Sequence, residues 1–206
     1  MRKATSVLLT MGLPFMIALS ACAFCLSASG SDLYKVKKDA PVDLKLRPSQ
    51  GKALIFFLRP QSFGEMDKVK LYADGKFVGL MVGHTFIAYE CDPGKHEFIT
   101  ESENAGFLEA EVVAGKIYVV QVCIHMGAWK ARTHFEVARP DTDAMHECSK
   151  GADKCRAIET TDEGRAWEAK KEASTQETIR RYRDKGEEFE YLKPEEGYDS
   201  LPWVKP

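Results

Sequence analysis

The feature that most constrains this chain is a run of about thirty residues, Val69 to Thr100, in which short alternating segments are separated by two tight-turn signatures. Val69-Lys70-Leu71-Tyr72 alternates apolar and polar side chains, the period of a strand, and meets Ala73-Asp74-Gly75-Lys76. Asp-Gly supplies two consecutive residues that tolerate positive φ, which a type I′ hairpin turn requires because its twist matches that of paired strands. Lys76 to Met81 returns as a second strand, Gly83 interrupts, and His84 to Cys91 runs out as a third. Asp92-Pro93-Gly94-Lys95 then turns the chain again, Pro presetting φ and Gly accepting a positive one, before a fourth strand from His96 to Thr100. The stretch predicts a β-meander, with His96 making a structural hydrogen bond at its turn.

The same grammar continues on both sides. Lys52-Ala53-Leu54-Ile55-Phe56-Phe57-Leu58-Arg59 is nearly all apolar, too short for a typical helix and bounded by Gly51 and Pro60, which predicts a central strand buried on both faces. Phe107 to Val113 reads as a strand, Ala114-Gly115 as a turn, and Lys116 to Ile124 places Tyr118, Val120, Val122 and Ile124 on one face. Trp129 sits in a tip, and Thr133 to Val137 returns. About eight strands over roughly 90 residues, with turn signals every 8–12, predict a mainly β protein: a single antiparallel β-sandwich over residues 51–140.

The residues that carry this pattern, Lys52 to Pro60, Asp74-Gly75-Lys76, Asp92-Pro93-Gly94-Lys95-His96 and Ala114-Gly115-Lys116-Ile117-Tyr118, resemble an uncharacterised bacterial lipoprotein family built on a domain of unknown function. The Pro-Gly-x-His turn and the Ala-Gly-x-x-Tyr strand are also similar to the PEGA-type group of small envelope β-sandwiches. The resemblance spans Gly51 to Val137. It implies a location and an architecture and brings no catalytic residue or cofactor with it.

At the N-terminus, Arg2 and Lys3 precede an apolar run from Val7 to Leu19, which reads as a signal peptide over residues 1–21. Its end, Leu19-Ser20-Ala21-Cys22, resembles the bacterial lipobox, which makes Cys22 the lipidated first residue of the mature chain. Ala23 stands where the inner-membrane retention signal of enteric lipoproteins has Asp, so the resemblance implies an outer-membrane lipoprotein facing the periplasm. Ordinary cleavage after Ala23 or Gly30, giving a periplasmic or secreted protein, and an uncleaved anchor are the competing readings. Residues 22–50, rich in Ser, Lys, Asp and Pro, read as a tether, with Lys35, Lys37 and Lys38 placed near lipid head groups or simply solvated.

The C-terminal third reads differently: a loop over 141–160, a mostly solvated helix over 161–186, and an irregular tail over 187–206. Thr160-Thr161-Asp162-Glu163 has capping-box spacing, and Gly186 suits the residue after the helix end. Trp167 and Tyr182 would lay this helix on the sandwich.

Chemistry is sparse. A net charge of −2 on 206 residues gives no reason to expect nucleic acid. No Gly-x-Ser-x-Gly, His-Glu-x-x-His or phosphate-binding glycine loop is present. Cys22 and Cys25 have redox spacing, but at the end of a signal peptide. Cys148 and Cys155 flank a polar loop and are the candidate disulfide, whereas Cys91 and Cys123 read as buried thiols. His146, Cys148 and Cys155 with Asp141 or Asp143 could ligate a metal, though without the two close-set ligand pairs of a structural zinc site. Trp129, Lys130 and Arg132 in the tip, and Trp203 in the tail, are candidate partner contacts, because Trp and Arg are enriched where interfaces are tightest. The reading that emerges is a non-enzymatic, lipid-anchored cell-envelope protein, its membrane contact made by the lipid on Cys22, binding another envelope protein or a cell-wall glycan. The alternative is an exported enzyme or metal-binding protein using the His and Cys residues of 146–155.

Overall fold

The structure, a computed structural model, describes residues 32–43, 45–126, 131–187 and 189–203. In chain order the elements are β1 (Tyr34–Pro41), β2 (Ala53–Arg59), β3 (Val69–Ala73), β4 (Lys76–Met81), β5 (Thr85–Cys91), β6 (Gly94–Glu101), β7 (Ala105–Val112), β8 (Ile117–Met126), β9 (Ala131–Val137), α1 (Asp143–Gly151), β10 (Arg156–Thr160), α2 (Asp162–Ala169), α3 (Glu172–Asp184) and β11 (Phe189–Leu192), with a short 3₁₀ turn at Pro194–Glu196. A six-stranded sheet, β1-β10-β5-β2-β8-β9, faces a five-stranded sheet, β11-β7-β6-β3-β4. This is the mainly β sandwich with C-terminal helix that the sequence implies.

β2 explains why the sandwich holds. Ala53, Ile55 and Phe57 point between the sheets, where they meet Leu71, Phe98, Leu108, Val120 and Phe135. Leu54, Phe56 and Leu58 point the other way, into a second core closed by α1 and the tail through Ala144, Cys148 and Leu201. Each fully buried Phe or Leu contributes about 1.5–3 kcal/mol relative to exposure, so a strand covered on both faces is the natural centre of the sheet. A third cluster, Tyr72, Ile99, Phe107 and Ile179, seats α3 on the outside of the five-stranded sheet.

The Asp74-Gly75 hairpin forms as expected, with φ of 49° and 75° at the two turn residues. The four-stranded meander does not. β3 pairs with β4 and with β6, while β5 leaves for the other sheet and pairs antiparallel with β2. The corner is made at Gly83 and His84, the latter at φ 55°. A Cβ on Gly83 would meet the Gln61 carbonyl oxygen and Glu65 Cα at 2.9 Å, so only glycine lets the backbone cross there. The expectation of a purely antiparallel sandwich of about eight strands is also corrected: there are eleven strands among the described residues and both sheets are mixed, with β8 parallel to β2, β10 to β5 and β11 to β7.

Four further expectations are corrected. The stretch expected as tether contains β1, an edge strand of mostly exposed, charged residues paired antiparallel with β10. The expected 141–160 loop holds α1 and β10. The single 161–186 helix is two, α2 and α3, and its cap is Thr161, whose hydroxyl accepts from the Gly164 amide. Thr160 instead belongs to β10, and its Oγ1 accepts from the Leu80 amide at 2.7 Å. The tail contributes β11 and is pinned by Arg139, which donates to Glu190, Glu196 and the Tyr191 carbonyl.

Candidate functional site

The side chains with most chemical potential lie on one face of the β8–β9 hairpin. Register pairs Cys123 with His134 and His125 with Arg132. Because alternate residues of a strand share a face, Cys123 and His125 on β8 look out beside His134 and Glu136 on β9. Their even-numbered and odd-numbered neighbours, Val122, Ile124, Phe135 and Val137, fill the core between the sheets. Among the described residues, Cys123, His134 and Glu136 are the one group of three or more His, Cys, Asp or Glu able to share an ion. One potential ligand atom from each lies within 4.8 Å of the others. The ring of His125 stands edge-on to that of His134, centroids 4.9 Å apart.

β9 is held in place from the opposite sheet. Asn104, itself buried, donates through Nδ2 to the Thr133 carbonyl at 2.9 Å and accepts from the Thr133 amide at 2.6 Å. The β7 backbone comes so close at Gly106 that a Cβ there would lie 2.9 Å from His134 Cα. Beside the hairpin a cleft of about 540 Å³ is bordered by His125, His134, Glu136, Glu187 and Glu190.

Electrostatically the site is half in water. The Cys123 thiol is buried, and desolvation, with the Glu136 charge adding to it, pushes it well above the ordinary thiol range. His134 and Glu136 keep 39% and 45% of their side-chain surface, and one ring nitrogen of His134, Nε2, lies 3.0 Å from a Glu136 oxygen. Its Nδ1 is buried without a hydrogen-bond partner. Burial, with the neighbouring His134 and Arg132, lowers the His125 pKa. Thiol, imidazole and carboxylate in this order could form a nucleophile, base and orienting group. A buried thiol held in its neutral form is a poor nucleophile, and it must give up its proton before it can ligate a metal.

The residues expected from sequence fall elsewhere. Cys22, Trp129 and Lys130 lie outside the described residues; Arg132 is exposed on β9. Trp203 is partly buried, its ring 6.3 Å from that of Phe56, and packs against the second core. Cys148 and Cys155 are free thiols rather than a disulfide. Cys155 directs its sulfur at the Arg59 carbonyl, 3.9 Å away, while Cys148 is packed among apolar residues on the inner face of α1. Burial pushes Cys155 up to about 12 and Cys148 higher still. The expected metal set is also dispersed, because His146 is exposed on α1 while Cys148 faces inward. His96 does take the structural role expected of it, Nδ1 meeting Asp74 at 2.7 Å and Nε2 the Asp92 carbonyl at 2.8 Å.

Sequence reasoning missed the hairpin set although its signal was present. Cys123-x-His125 and His134-x-Glu136 are two close-set pairs at strand spacing. Loop and helix spacings are the familiar zinc signatures, and a pair two residues apart shares a face only once the segment is known to be extended.

Residues 49–134 match the family described as a protein of unknown function (DUF2846). The DUF2846 match runs from the turn before β2 into β9, taking in Cys123, His125 and His134 and stopping short of Glu136. β1 and everything from α1 onward lie outside it. No curated protein matches the chain.

Proposed function

We propose that this chain is a non-enzymatic, lipid-anchored cell-envelope protein whose β-sandwich recognises another envelope protein or a cell-wall glycan, PEGA-like in architecture and seated on the outer membrane facing the periplasm. The observation that carries this reading is Leu19-Ser20-Ala21-Cys22 after a basic and then apolar N-terminus, followed by a sandwich whose first strand begins at Tyr34. Three acyl chains on one cysteine would hold the chain at a bilayer essentially permanently, since two already suffice. No helix among the described residues is long and apolar enough to cross a membrane. A role in binding rather than reaction is supported by the four described cysteines, all buried and all with thiols pushed upward by desolvation. The surface assigned to recognition is the β8–β9 end with the 129–132 tip, where Trp129, Lys130 and Arg132 follow one another closely in sequence.

Growth with a clickable fatty acid tests the anchor. The wild type should be labelled and Cys22→Ala should not, and equal labelling of the two, or none in either, would end the proposal. Crosslinking in intact cells followed by mass spectrometry tests recognition: a stoichiometric partner that Arg132→Glu and Trp129→Ala release is expected, and no partner at all would remove the binding role.

A further inference from the structure

We propose that Cys123, His134 and Glu136 form a zinc site on the outer face of the β8–β9 hairpin, its fourth position opening on the cleft that His134 and Glu136 line. The site shares its hairpin with the proposed recognition surface but uses none of Trp129, Lys130 or Arg132; it is separate from lipidation and does not use the 146–155 segment.

The geometry has the right scale. In a tetrahedral zinc site, bonds of roughly 2.0–2.3 Å put neighbouring ligand atoms about 3.3–3.6 Å apart. Here the three candidate ligand atoms already lie within 4.8 Å of one another, so rotamer adjustments of about an ångström bring them to one ion. A sulfur, an imidazole nitrogen and a carboxylate oxygen are a mixed, borderline donor set, which suits zinc over calcium or magnesium, whose ligands are all oxygen. The frame is stiff as well. Cys123 and His134 are direct cross-strand partners, and Asn104 clamps the β9 backbone one residue before His134.

The surroundings leave room for the ion. His134 carries a buried ring nitrogen with no partner, a polar group that ordinarily costs stability unless something pairs with it. The cleft of about 540 Å³ gives solvent a path to the histidine and the carboxylate. Of its other acidic walls, Glu190 is ion-paired with Arg139, while Glu187 would draw a cation toward it; water or the donor atom of a bound molecule would complete the tetrahedron. Arg132 is the opposing charge on this face; it is exposed and lies across from His125 rather than from Cys123. On binding, Zn²⁺ replaces the Cys123 thiol proton, which passes to solvent, and no electron is exchanged.

The test uses the full chain stripped of metal with a chelator, then titrated with ZnCl₂ against a chromophoric zinc indicator and separately with CoCl₂. One Zn²⁺ per chain is expected, together with a cobalt-thiolate charge-transfer band and the visible absorption of tetrahedral cobalt. Cys123→Ser should abolish the charge-transfer band. Glu136→Gln and His134→Ala should each weaken zinc by at least tenfold, whereas His146→Ala should leave it unchanged. Because Cys123 is buried and its substitution could disturb folding, Glu136→Gln on the half-exposed position is the deciding variant, with circular dichroism confirming its fold. Failure of the wild type to take up stoichiometric zinc, or uptake that Glu136→Gln and His134→Ala leave unaltered, would overturn the assignment.

Discussion

Replacing Lys70 by Met should destabilise the protein far more than the loss of one ion pair suggests. Lys70 projects from the outer side of β3 toward α3, and its side chain is 7% exposed; that of its partner Glu101 is 8% exposed. Nζ lies 2.9 Å from Glu101 Oε2, donates to the Thr175 hydroxyl and sits 5.4 Å from the centre of the Trp167 ring. Burial already holds the Glu101 carboxyl above its ordinary range, even against the hydrogen bond and charge of Lys70. Removing Lys70 strands that carboxylate, and breaking a buried pair in this way costs about 3–5 kcal/mol. Against a typical domain stability of roughly 5–15 kcal/mol, that is a fall of about 6–20 °C in midpoint for a chain of this size. The sign with pH follows from the direction of the shift. An acid whose folded pKa is raised favours the folded state below its unfolded pKa and loses that benefit as pH rises, so Lys70→Met should be least harmful near pH 5 and most harmful near pH 8. Lys70→Met with Glu101→Leu, which removes both charges, should recover most of the loss. Urea denaturation of the wild type, both single variants and the double at two pH values measures each quantity. A loss below about 1 kcal/mol for Lys70→Met at pH 8, comparable to a surface pair, would refute the reasoning.

Other perturbations have equally definite outcomes. Gly164→Ala lies inside α2, where helix propensity alone favours alanine by about 1 kcal/mol, yet its Cβ would meet the Leu33 carbonyl oxygen at 2.1 Å; a net destabilisation of about 1–3 kcal/mol in thermal unfolding is expected, and a stabilised variant would show the contact to be unimportant. Burial lowers the His96 pKa, but Asp74 and the Asp92 carbonyl outweigh it and the net shift is upward, so its contribution should be full below about pH 6.5 and fade as pH rises. Asp74, net lowered despite its burial, should give up its own share only in acid, as pH falls below about 3.8. His96→Asn should flatten the neutral-to-alkaline slope in urea midpoints, and an unchanged slope would contradict the assignment. Arg139→Ala, which removes the bonds to Glu190, Glu196 and the Tyr191 carbonyl, should speed amide exchange across Phe189–Leu192 while leaving β2 protected; uniform exchange in both would mean that the tail is held by other contacts.

Much of this architecture is written in local chemistry. The apolar run of β2 announces a strand buried on both faces, Asp74-Gly75 announces its turn, and Gly186, at φ 71°, closes α3 as the C-terminal glycine should. What escapes local reading is set by pairing. β5 looks like the next strand of a meander, but which sheet receives it is decided by the corner at Gly83 and by β2 across the sandwich. β1 has the lysines of a solvated segment because it is an edge strand with little to bury, and edge strands commonly carry charge. The β8–β9 set depends on register: Cys123 and His134 are eleven residues apart in sequence and directly opposed in space. Trp203, a hot-spot residue by type, turns inward because Phe56 leaves an apolar surface for it to cover.

β1 also sets how far this protein could roam. Leu33 is 2% exposed and Tyr34 is already paired with Thr160, so the folded body begins there. Were Cys22 acylated as proposed, eleven peptide links would separate membrane from Leu33, and a stretch of that many links extends no more than about 40 Å. On that proposal a partner would have to come within reach of a domain held on so short a leash. Lengthening that leash by inserting residues before Leu33 would widen the zone of capture without touching a single contact in the domain.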